Sequence, residues 1–149
     1  MPDHVKLKFT YTELRAKPFP ASNRLVKIFR PLIPITLINK NRFCHMAVLL
    51  DSGADFNLIH GDVASYLGLN LTLGSKRTIS GISGQIRGYK HKLQLKIDNY
   101  LYKTTVIFSN QLPNNAIAVL GNQGFFDKFA VKFNYPKLIT ITHFNYGKR

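Results

Sequence analysis

Apolar and polar positions alternate along Val5-Lys6-Leu7-Lys8-Phe9-Thr10-Tyr11, which predicts a half-buried strand. Lys17 to Asn23 carries two prolines and reads as loop. A short extended piece follows over Leu25 to Phe29, and a strand is predicted once the chain is past Pro34. Asn39-Lys40-Asn41 is turn chemistry, and the return strand runs from about Arg42 to Leu50. Val63, Tyr66 and Leu67 have helical spacing with Gly68 as the stop, so one short helix is expected there. Leu69 to Leu73 reads as extended. Lys76 to Gly88 reads as a hairpin, because two extended arms flank Gly81 and Gly84. Its second arm continues with Leu93, Leu95 and Ile97 inward and Lys92, Gln94 and Lys96 outward. Asp98-Asn99 turns the chain into a strand over Tyr100 to Phe108. Ala116 to Leu120 is a wholly apolar strand, Gln123 to Phe129 suits a short helix, and two further strands end near Thr142. The pattern is mainly β with one or two short helices, as in a sandwich or closed barrel.

One stretch stands out from this pattern. The apolar run Met46 to Leu50 ends abruptly at Asp51, and Ser52, Gly53, Ala54 and a second carboxylate, Asp55, follow. A carboxylate at the mouth of a buried strand is costly unless it is hydrogen-bonded or protonated. The chain has seven acidic residues and places two of them here, so the arrangement points to a constrained function.

Composition narrows the rest. A length of 149 residues fits one domain with a real core. The single cysteine, Cys44, excludes an intrachain disulfide and any multi-cysteine metal site, and it reads as a small apolar strand residue. The five histidines, His4, His45, His60, His91 and His143, show no metal spacing; no metal and no cofactor are expected. Phe125, Phe126 and Phe129 read as core. The N-terminus lacks the apolar stretch of a secretory signal, and no apolar run reaches membrane-spanning length, so the expectation is a cytoplasmic protein without a membrane partner.

The net charge of +14 raises the question of nucleic acid. Seven of the 21 basic residues lie in the first 30 positions, and none lies between Phe43 and Ser75. There is no basic helix, zinc-finger spacing or stacking motif. The favoured reading is a solvated basic surface, with nucleic acid disfavoured as a partner.

Three features in order carry a family resemblance: Asp51-Ser52-Gly53-Ala54 after an apolar strand, a glycine-bearing hairpin after a short helix, and a second apolar strand ending in Val119-Leu120-Gly121. Together they resemble the retropepsin-like aspartic proteases, over about Pro31 to Ile141. Within that family the chain resembles small bacterial members with an Arg-Pro-x-Ile-Pro entry, here Arg30 to Pro34, a DSGADF motif, and a Leu-Gly-x-x-Gly-Phe-Phe-Asp ending, here Leu120 to Asp127. The resemblance implies an all-β, closed-barrel acid protease lobe, one lobe per chain. Residues 1–30 would be an N-terminal extension, 31–144 the protease-like domain and 145–149 a tail.

The expected activity is that of an aspartic endopeptidase. Two carboxylates a few ångströms apart cannot both ionise, so the pair shares one proton. One carboxylate takes a proton from water while the other donates one to the peptide carbonyl oxygen. Asp51 is the catalytic candidate. Ser52, Gly53, Ala54 and Asp55 form its loop, with Val119, Leu120 and Gly121 in support. The chain holds one Asp-Ser-Gly, so the second carboxylate would be Asp51 of a second copy on a two-fold axis, which makes a homodimer the expected partner and a peptide or protein the substrate. The hairpin residues Ile79, Gly81, Ile82, Ser83, Gly84 and Ile86 would form a flap over the substrate. Ile79, Ile82 and Ile86 fit either a cleft wall or the core. In the family an arginine after the apolar-apolar-Gly motif supports the acid equivalent to Asp55; Asn122 stands there instead. That leaves Asp55 between a loop cap and a substrate contact, and leaves a catalytically silent dimerisation or peptide-binding module as the alternative function.

Overall fold

The computed structural model describes residues 4–18, 23–81 and 84–144. The described strands are β1 (His4–Thr10), β2 (Thr12–Ala16), β3 (Val26–Arg30), β4 (Leu32–Asn39), β5 (Arg42–Leu50), β6 (Leu58–His60), β7 (Ser75–Gly81), β8 (Gly84–Ile97), β9 (Tyr100–Ser109), β10 (Ala118–Leu120), β11 (Phe129–Asn134) and β12 (Leu138–Phe144). The helix α1 (Gly61–Tyr66) and a single 3₁₀ turn at Leu71–Leu73 complete the described elements. The chain is therefore all-β with one short α-helix. No helix among the described residues is long and apolar enough to cross a membrane.

Six strands close on themselves in the order β4-β5-β10-β6-β9-β8, with β8 returning to β4 through Thr36↔Lys96, Leu37↔Leu95 and Ile38↔Gln94. Closure leaves no open edge along that ring. Its interior is filled by alternate residues: Ile33, Ile35 and Leu37 on β4, Leu93, Leu95 and Ile97 on β8, and Val48 and Leu50 on β5. The inward and outward sides of β8 are those the alternation predicts. The two-residue hairpins β4–β5 and β8–β9 each put their first turn residue, Lys40 or Asp98, at a positive φ, 54° and 53°, as turns matched to strand twist often require.

A second sheet, in the order β1-β12-β11, packs its inner face on the same core through Ile139, Ile141 and Phe129. Leu7 and Phe9 of β1 add to that face. β12 lies in the middle, paired along its length with β1 from His4↔Phe144 to Thr10↔Leu138. β2 and β3 form a separate ribbon whose Lys27–Glu13 ion pair, at 3.5 Å, is exposed and contributes little.

Four expectations need correction. β4 starts at Leu32, so Pro34 lies inside it, opposite Ala47. It is tolerated because β8 joins β4 only from Thr36, so the missing N–H takes no bond from the ladder. The extended reading of Leu69 to Leu73 gives way to the 3₁₀ turn. β10 starts at Ala118, two residues later than the apolar run suggests. Gln123 to Phe129 is not a helix. Gly124 sits at φ +107°, and Phe126 and Asp127 donate to the carbonyls of Gly121 and Asn122, five residues back, so the segment is a wide turn. Its phenylalanines still pack as core: Phe125 is fully buried and edge-on to Phe126.

Candidate active site

β10 inserts between β5 and β6, which the chain connects through residues 51–57. It runs parallel to β5 (Val119↔Leu49, Leu120↔Leu50) and antiparallel to β6 (Val119↔Leu58). The loop carrying Asp51 therefore leaves one strand, crosses the end of β10 and returns on its other side. Three backbone bonds lock it there: Asp51 N–H donates to Leu120 O (3.0 Å), Asn122 N–H to Ala54 O (2.8 Å) and Gln123 N–H to Asp55 O (2.9 Å).

The crossing needs glycine at position 121. A Cβ there would stand 2.5 Å from Phe56 O and 2.6 Å from Ala54 O, so a side chain would push the loop off the strand end. Asp51 itself is half-buried. Its Oδ1 accepts the Gly53 N–H at 2.9 Å, and the turn is closed by Ala54 N–H donating to Asp51 O at 3.1 Å. The carboxylate is thus held by backbone within its own loop. Ser52 is exposed, and among the described residues its hydroxyl makes no hydrogen bond. Asp55 is exposed too, and among the described residues its carboxylate has neither ion pair nor hydrogen bond. No group of three His, Cys, Asp or Glu among the described residues is placed to hold a metal ion.

Asn57 is the residue the sequence reading missed. It is fully buried and joins three parts of the fold. Its Oδ1 accepts the Gly121 N–H (3.0 Å), and its Nδ2 donates to Thr105 O (3.1 Å) and to Thr104 Oγ1 (3.4 Å). Gly124 lies against this amide: a Cβ on Gly124 would stand 2.5 Å from Asn57 Nδ2. Thr104 and Tyr102 both donate to Gly124 O, at 2.6 and 3.1 Å. Burial, with the Asp127 charge second, pushes the Tyr102 hydroxyl up and so keeps it a donor. Asp127 Oδ1 in turn accepts the Gly124 N–H at 3.1 Å. The available signal was a lone amide among apolar neighbours, Phe56 before it and Leu58-Ile59 after.

β7 and β8 form the hairpin, in register from Ser75↔Lys90 to Gly81↔Gly84. β8 also pairs with β9, but only from Tyr89 onward, and Gly88 is buried against Ile107 and Phe108, so Gly84 to Ile86 project with β7 as a two-stranded ribbon. Ile79 and Ile86 are directly opposite each other and half-buried on one face. Gly84 has φ +114°, a conformation that favours glycine. The tip residues Ile82 and Ser83 lie outside the described residues. At the ribbon root, Arg87 N–H donates to Gln111 Oε1 (2.6 Å) and Ser109 Oγ donates to Arg87 O (2.6 Å). Neither Ser109 nor Gln111 was singled out from sequence. Cys44 is half-buried on β5, where burial pushes its thiol up.

A closed barrel with β10 threaded between β5 and β6, and a hairpin standing out from β8, is the all-β fold of the retropepsin-like aspartic proteases. The chain is similar in structure to a retropepsin-like aspartic protease from Rickettsia conorii, with a TM-score of 0.58, 13% identity, and coverage of 94% of this chain and 92% of that one. EIAV protease, complexed with the inhibitor HBY-793, aligns at a TM-score of 0.48 and 22% identity over 62% of this chain and 82% of its own. No protein-family model and no curated protein sequence matches.

Proposed function

We propose that this chain is one subunit of a homodimeric aspartic endopeptidase in which Asp51 supplies one carboxylate and Asp51 of a second copy the other. One observation carries the reading: a half-buried aspartate held by the Gly53 N–H and the Leu120 carbonyl, on the loop that crosses a retropepsin-like strand end. The Asp-Ser-Gly-Ala-Asp-Phe motif further groups it with the small bacterial members of that family. The two carboxylates share a proton. The ionised one draws a proton from water as its oxygen attacks the peptide carbonyl carbon, and the protonated one gives its proton to the carbonyl oxygen. Collapse of the tetrahedral intermediate breaks the C–N bond as the leaving nitrogen takes a proton.

The remaining assignments rest on the same geometry. The Ser52 hydroxyl is available to bond to the partner loop. The β7–β8 ribbon is the flap, with Ile79 and Ile86 on the substrate side and Gly81 to Gly84 at its tip; the substrate is an extended peptide. The proposed test is digestion of a peptide library by wild type and by Asp51→Asn. Asparagine keeps an Oδ1 acceptor for the Gly53 N–H, so the variant is expected to melt as wild type does while losing cleavage. Cleavage surviving in Asp51→Asn, or arising from a strictly monomeric preparation, would overturn the proposal.

A second reading is favoured by Asn122 and by the partnerless Asp55 carboxylate among the described residues: a dimerising or peptide-binding module that does not cleave. Peptide binding without hydrolysis in the wild-type digest would select it.

A further inference from the structure

A cavity of about 540 Å³ lies between the β8–β9 ribbon and the turn that follows β10. Its size is that of a small-molecule pocket. The β8–β9 register sets Lys92 opposite Thr105 and Gln94 opposite Lys103, so these side chains share one face, the reverse of the one that Leu93 and Leu95 bury. Lys90 lies two residues before Lys92 on that face, and Lys128 comes in from the turn. Four lysines therefore line one cavity with a single acidic residue, Asp127, whose Oδ1 already accepts the Gly124 N–H. Among the described residues none of the four lysines is in an ion pair.

Like charges gathered on one cavity repel, and an anion placed among them relieves that repulsion. Gln94, Gln123 and Thr105 add neutral polar groups. The lining holds no aromatic ring, so it offers no platform for stacking a base. We propose that this cavity binds a compact polyanion through its phosphoryl or carboxylate oxygens. The site stands apart from the peptidase reading. Its wall is also the back of the Asp51 loop: Gln123 N–H bonds Asp55 O, and Thr105 O accepts from Asn57.

The test is calorimetric titration of the full chain with inorganic tripolyphosphate and, separately, with citrate, at low salt. Saturable one-to-one binding is expected. The double variant Lys92→Gln/Lys103→Gln should bind at least tenfold more weakly. Lys76→Gln/Lys137→Gln removes the same charge outside the cavity and should stay within twofold of wild type. Tighter tripolyphosphate assigns the ligand to phosphoryl chemistry, tighter citrate to carboxylates; either supports the site. Equal losses in both double variants would reduce the effect to overall charge and overturn it. So would the absence of saturation, or a single-stranded oligonucleotide that outcompetes tripolyphosphate at equal total charge.

Discussion

Asn57→Ala tests whether the buried amide holds the candidate active-site loop. The change removes the acceptor of the Gly121 N–H and the donor to Thr105 O. The Gly121 group is buried, and an orphaned buried donor costs about 2 kcal/mol. The partly buried bond to Thr105 adds about 1 kcal/mol. Thr104 loses little, because its hydroxyl already donates to Gly124 O. The sum is about 3 kcal/mol, or a melting temperature lower by about 6–12 °C for a chain of this length. Urea unfolding, read as a shift in midpoint at constant slope, measures it. Asn57→Asp adds a signature that a mere packing loss would lack. It keeps the acceptor but buries a carboxylate, and burial raises a carboxyl pKa. Its deficit against wild type should therefore shrink as pH falls and the acid becomes neutral. An Asn57→Ala cost below about 1 kcal/mol, or an Asn57→Asp deficit that does not vary with pH, would refute the reasoning.

Gly121→Ala should cost at least about 3 kcal/mol in urea unfolding, because its Cβ meets two backbone oxygens that cannot swing away. Gln111→Ala frees the Arg87 N–H at the ribbon root; hydrogen exchange should speed at Arg87 and its neighbours while the global unfolding free energy changes by less than about 1 kcal/mol, a surface-scale effect. His143 has its pKa lowered below 6.5, by burial first and by Lys128 second. The unfolded chain then binds the proton more readily, so stability is complete above about pH 6.5 and falls as pH drops through the lowered folded value. Unfolding midpoints between pH 7.5 and 5 should show a slope that His143→Gln flattens.

Strand alternation made the barrel walls legible. Leu93, Leu95 and Ile97 against Lys92, Gln94 and Lys96 specify which side of β8 is core, and the two short turns specify its neighbours in the ring. The Asp51 loop was legible because an apolar strand ending in a carboxylate, a serine and a glycine is chemically expensive. Asn57 was not, since an amide earns its place there only through Gly121, 64 residues further on, and Thr105, 48 residues further on. The false helix at Gln123 to Phe129 has a similar cause. Its phenylalanine spacing suits a helix, but Gly124 is bent to φ +107° to receive Tyr102 and Thr104 on its carbonyl. Tertiary partners overrode local periodicity.

The interior place of β12 has a consequence for trimmed forms of the chain. All seven of its residues are spoken for by β1 on one side, and β11 holds the other. Lys6 and Lys8 point outward from β1, charges of the kind that discourage further strand addition. A cut after Thr10 would remove this guard and turn β12 into a bare border. Asp51 belongs to the other sheet, so the first symptom of such a cut would be stickiness between molecules, with the loop around the aspartate still in place.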